Sequence, residues 1–71
     1  MRRDTVTQVI VQWENGEWDN FGTPLEAEQY INYMLEEWGV PVAAWLEDMK
    51  GNKKWDFLIV EDSSGIIRLE S

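Results

Sequence analysis

Residues 5–13, TVTQVIVQW, alternate at period two: Thr7, Val9, Val11 and Trp13 fall on one face, and Val6, Gln8, Ile10 and Gln12 on the other. The run is rich in β-branched side chains, which suit the pleated surface of a strand. Asn15-Gly16 follows, a dipeptide that favours a two-residue type I′ turn because both central positions need positive φ. Such a turn predicts Glu14 opposite Glu17, Trp13 opposite Trp18, Gln12 opposite Asp19, Val11 opposite Asn20 and Ile10 opposite Phe21.

The period then lengthens. Thr23-Pro24-Leu25-Glu26 reads as a helix start: Thr23 can cap, Pro24 suits the first helical position and Glu26 completes a capping box. Over residues 24–38, Ala27, Ile31, Met34, Leu35 and Trp38 recur at spacings of three and four, with Tyr30 at the margin of their stripe. Glu26, Gln29, Tyr33, Glu36 and Glu37 face away. Gly39 is placed to end the helix in the left-handed region, and Pro41 prevents its resumption. Three more strands follow: residues 42–47 (VAAWLE), 55–61 (WDFLIVE) and 66–70, joined by turns at 49–54 and 62–65. The apolar run Phe57 to Val60 predicts a central strand buried on both faces. The order is β-β-α-β-β-β with one helix at about residues 24–38. The predicted fold is α+β, one antiparallel sheet packed on one face by that helix, in a single small domain of 71 residues.

In the predicted hairpin Trp13 and Trp18 form a non-hydrogen-bonded pair, where side chains approach closely and two indoles can pack edge to face. Trp13-Glu14-Asn15-Gly16-Glu17-Trp18 closely resembles the designed tryptophan-zipper hairpins, a resemblance confined to those six residues. It leaves two readings open: a structural staple over the core, or an indole platform offered to a partner.

Composition narrows the chemistry. The chain carries no Cys and no His, which removes disulfides, thiol and Ser-His nucleophiles, the commonest general base and the usual zinc ligands. The adjacent carboxylate pairs Glu36-Glu37, Glu47-Asp48 and Glu61-Asp62 do not supply two acids facing across a cleft, so no enzyme activity is expected. Neither an EF-hand spacing nor a Gly-rich phosphate loop is present, and no metal or cofactor is expected. Residues 1–4, MRRD, lead into alternating polar residues and no apolar run approaches a membrane span, so a cytoplasmic protein is expected.

The net charge is −8, and ten of the fourteen carboxylates lie between Asp4 and Met49, a stretch without a single Lys or Arg. Such a chain repels nucleic acid and anionic membranes and favours a basic partner. Glu36 and Glu37 close the helix, where its dipole disfavours anions. The expectation is a non-enzymatic acidic binding protein that occupies a basic, nucleic-acid-binding surface of a partner protein. Glu26, Tyr33, Glu36, Glu37, Trp18 and Asp19 are its candidate contact residues, because Tyr and Trp anchor interfaces and carboxylates can stand in for phosphates. In size and acidity the chain is similar to phage-encoded inhibitors, among them DNA mimics, anti-CRISPR proteins and uracil-DNA glycosylase inhibitors. Its tail, Trp55 to Leu69, is similar in outline to the closing strands of the last of these, whose other binding segments have no counterpart here. The alternative is a small adaptor or subunit that assembles through an exposed strand edge, at residues 5–11 or 66–70, with a homodimer as one version.

Overall fold

A computed structural model describes residues 7–71. In chain order it contains β1 (Thr7–Gln12), β2 (Trp18–Phe21), α1 (Pro24–Tyr33), α2 (Leu35–Trp38), β3 (Ala43–Asp48), β4 (Lys53–Asp56), β5 (Leu58–Glu61) and β6 (Ile67–Glu70). The predicted first two residues of the opening strand, Thr5 and Val6, lie outside the described residues.

The fold is α+β, but its strands form two antiparallel sheets and not one: a four-stranded sheet in the order β2-β1-β3-β4 and a two-stranded sheet of β5 and β6. The division falls at Phe57. Its amide donates to the Ala44 carbonyl at 2.8 Å and holds the end of β4 against β3. From Leu58 onward the chain pairs instead with β6, Leu58 opposite Glu70. One continuous run thus serves two sheets and leaves one for the other at a buried aromatic ring. The two-sided burial predicted for Phe57 to Val60 does not occur, since Leu58 is 64% exposed.

All three hairpins use one turn. Gly16, Gly51 and Gly65 take positive φ of 91°, 88° and 82°, and no other type of residue does so among the described residues. In each hairpin the glycine amide donates to the carbonyl three residues earlier at 3.0 Å, which is the three-residue loop with a glycine bulge. Asn15 therefore does not adopt the left-handed conformation of a type I′ turn. Its Oδ1 accepts the Glu17 amide at 2.9 Å instead.

This turn shifts the first hairpin by one residue from the predicted register. Gln12 lies opposite Trp18, Val11 opposite Asp19, Ile10 opposite Asn20 and Val9 opposite Phe21. A one-residue slip moves every side chain of the second strand to the other face. Trp13 and Trp18 consequently do not pair: Trp13 is 1% exposed in the core and Trp18 is 60% exposed on the opposite face of the sheet.

The helix begins as its sequence dictates. Thr23 Oγ1 accepts the Glu26 amide at 3.2 Å, and the Glu26 carboxylate accepts the Gly22 amide at 3.2 Å, one residue before the capping-box position. It is broken at Met34, whose carbonyl receives the amides of both Glu37 and Trp38, and Gly39 closes α2 at φ 76°. Ala27 and Ile31 are buried against Val9, Val11, Trp13, Ala44, Leu46, Phe57, Ile67 and Leu69, with Tyr30, Leu35 and Trp38 packed on that core. Trp13 meets Trp38 edge to face at 5.0 Å and Tyr30 at 6.0 Å. Each such pair contributes about 0.5–1.5 kcal/mol beyond buried area. Among the described residues the Trp13 indole N–H has no hydrogen-bond acceptor.

The helix also closes a sheet margin. Asn32 donates to the Ile67 carbonyl at 3.0 Å and accepts the Ile67 amide at 2.8 Å, as a neighbouring strand would, and Glu28 accepts the Leu69 amide at 2.8 Å. Neither strand predicted as a free edge is one. β1 is interior, paired with both β2 and β3. On the outer side of β6, the Ile67 amide and carbonyl and the Leu69 amide are taken by Asn32 and Glu28.

Candidate functional site

The six residues singled out in the sequence do not form one surface. Tyr33, Glu36 and Glu37 come together at the carboxyl end of the helix, where they line a shallow depression of about 450 Å³ with Asn32 and Met34. Glu26 sits at the other end of the helix and is engaged by the Gly22 amide. Trp18 projects from the sheet face turned away from the helix. Asp19, its neighbour, points to the helix side and is half-buried.

The first surface is an acidic end. Tyr33 is 82% exposed, its ring tilted by 39° against that of Tyr30 with 6.4 Å between centroids. The Trp13–Trp38 contact brings the β1–β2 turn to the same end of the molecule, so the exposed Glu14 and Glu17 join Glu36 and Glu37 there. No basic residue occupies the last turn of either helix. Lys50, Lys53 and Lys54 lie at the opposite end, because β1 runs from Thr7 opposite Asp48 to Gln12 opposite Ala43. Other carboxylates are dispersed, among them Glu28 of α1 bonded to β6, Glu47 on the open sheet face and Asp48 in the β3–β4 turn.

The second surface is that open face, and its centre was not anticipated from the sequence. Ile10 points away from the helix yet is only 5% exposed, because side chains on β2 and β3 wall it in. Ile10, Gln12, Trp18, Trp45 and Glu47 line a slot of about 260 Å³. A polar chain fixes its rim. Asn20 donates to Gln8 at 2.7 Å, Gln8 to Glu47 at 3.3 Å, and the Trp45 indole N–H to Glu47 at 3.0 Å. Lys53 Nζ lies 5.1 Å from the centre of the Trp45 ring and pairs with Asp56 at 2.9 Å. Period-two alternation puts Trp45 and Glu47 on one face of their strand. Only the β1–β3 pairing, which joins distant parts of the chain, sets them beside Ile10.

Two turn carboxylates are held below their ordinary value of 3.8. Asp48 is lowered chiefly by the Asn52 amide and also by the Asn52 side chain, the Lys50 amide and the nearby Lys54 charge. Asp62 is lowered chiefly by the Ile66 amide, then by the Ser64 amide and Arg68. These are the same turn drawn twice, and the shifts belong to the fold.

Among the described residues no group of three or more His, Cys, Asp or Glu is gathered to hold a metal, and no helix is long and apolar enough to cross a membrane. No family model, curated protein or solved structure matches the chain.

Proposed function

We propose that this chain is a non-enzymatic, acidic binding protein of the cytoplasm, an inhibitor of the kind phages encode, which occupies a basic, nucleic-acid-binding surface of a partner protein. The observation that carries this reading is Tyr33, 82% exposed and flanked by Glu36 and Glu37, which among the described residues have no ion-pair partner. An exposed Tyr among carboxylates has the composition of an interface anchor facing a basic patch. Glu36 and Glu37 lie in the single turn α2, which follows the break at Met34 and carries no basic residue. Glu14 and Glu17 extend the same end. Four of the fourteen carboxylates thus stand at that end, and not over a whole face as a full-length mimic of a nucleic-acid strand would need. An adaptor assembling by strand pairing is left with the margins β2, β4 and β5, since β1 is interior and the outer side of β6 is bonded by the helix.

Affinity capture from cells of the source organism tests the proposal, with the wild-type chain and an E36K/E37K variant as baits. The expected result is a partner with a basic surface that is retained by the wild type, released by salt and lost with the variant. A partner held equally by both baits contradicts it.

A further inference from the structure

We infer that the slot over Ile10 is a cation-binding site, which receives an arginine side chain of the protein partner. The inference rests on the reading that the partner is basic, but it concerns a different surface. Trp18 on β2 and Trp45 on β3 stand on either side of β1, staggered by two residues along it, Trp18 opposite Gln12 and Trp45 opposite Ile10, and both line the slot. Ile10 is the floor of the slot and Glu47 closes one end. Aromatic side chains with a carboxylate at one end are surroundings that a guanidinium or ammonium group prefers.

Three observations make this more than an apolar patch. Trp45 already carries a cation: Lys53 Nζ lies 5.1 Å from its ring centre, reaching it from β4, the side away from Trp18. That lysine is neutralised by Asp56 at 2.9 Å, so it does not oppose a second cation with a free charge. Glu47 is held by neutral donors, Gln8 and the Trp45 indole, and among the described residues it has no ion-pair partner. The site is also formed in advance, because the Asn20–Gln8–Glu47–Trp45 chain fixes its rim and Ile10 is covered without a ligand. Preorganisation of this kind lowers the ordering cost of binding. Only Trp18 is left to close on the incoming side chain, and it is the exposed member.

The test is an NMR titration of the isotope-labelled full chain with an acetylated, amidated peptide of one arginine flanked by glycines. The same peptide with citrulline, the neutral isostere, is the second arm. The expected result is saturable shifts at the Trp18 and Trp45 indole N–H groups and at the Ile10 and Gln12 amides. Affinity should fall about fivefold with W18A and with E47Q, and the citrulline peptide should give no saturable shift. Because Trp18 lies at the surface, W18A keeps a native spectrum against which its titration is read. Equal affinity of W18A and wild type, or equal response to citrulline, overturns the site. Shifts confined to Tyr33, Glu36 and Glu37 also overturn it while leaving the acidic-end proposal standing. Capture of a partner unaffected by E36K/E37K removes that proposal and leaves the slot.

Discussion

Trp13 and Trp18 are the residues on which the architecture turns. They are separated by one tight loop, yet one is sealed in the core and the other is in solvent. Stability measurements should separate them cleanly. Trp13→Ala removes the hub of the Trp13–Tyr30–Trp38 cluster and should cost about 3–5 kcal/mol in urea denaturation. Trp18→Ala should cost about 1 kcal/mol or less, as surface changes do. Equal losses would return the two indoles to one shared environment and refute the observed register. Asp48 and Asp62 carry a second residue-scale prediction. Their folded-state pKa values lie below the ordinary 3.8, so their contribution is fully present above that value and is lost as pH falls through the folded values. Thermal melts should therefore show stability declining on acidification below about 4, and Asp48→Asn with Asp62→Asn should flatten that acid limb. An unchanged acid limb in the double variant would show that these turns do not contribute to it.

At the scale of the element, the bond between helix and β6 is the least ordinary feature. Asn32 and Glu28 supply side-chain groups where a neighbouring strand would supply backbone. Asn32→Ala leaves the Ile67 amide and carbonyl without partners, at about 1–3 kcal/mol for a buried unsatisfied group. With Glu28→Ala added, the freed β6 edge becomes a pairing surface. Sedimentation should then show self-association absent from the wild type, and a strictly monomeric double variant would contradict the capping role. None of this is visible in the sequence, where Glu28 and Asn32 read as ordinary polar helix positions. The helix start was legible, because Thr23, Pro24 and Glu26 act locally and their chemistry needs no partner from elsewhere. The α+β class and the positions of most strands were legible for the same reason. The first turn was not, because Asn15-Gly16 fits two turn types and the choice between them decides whether Phe21 or Trp18 of β2 packs on the core. A clue did exist: Trp13, Asp48 and Asp62 each stand three residues before a glycine, so the three hairpins share one spacing. The split at Phe57 was hidden because Leu58 reads as core by hydropathy, although the bend turns it to solvent. Tyr33, Glu36 and Glu37 could be grouped from helical spacing alone, whereas the Ile10–Trp45–Glu47 slot depends on long-range strand pairing.

For the whole molecule, the charge is unevenly arranged. Glu14, Glu17, Glu36 and Glu37 share one end, while Lys50, Lys53 and Lys54 belong to the other. On the proposed function, such an arrangement orients an approaching basic surface before contact, an effect that acts on the association rate and weakens with ionic strength. Tyr33 then contributes after contact, through the dissociation rate. Tyr33→Ala should accordingly shorten the lifetime of the complex with little change in its rate of formation, as surface plasmon resonance would register. The most direct measurement for the central claim is the association rate constant of the captured partner across a range of ionic strength, for the wild type and for E36K/E37K. The account predicts a fall of at least about tenfold for the wild type from low to high salt, and a variant that is already slow and nearly insensitive to salt. A wild-type rate that stays level with salt, or a variant that associates as fast as the wild type, would contradict it.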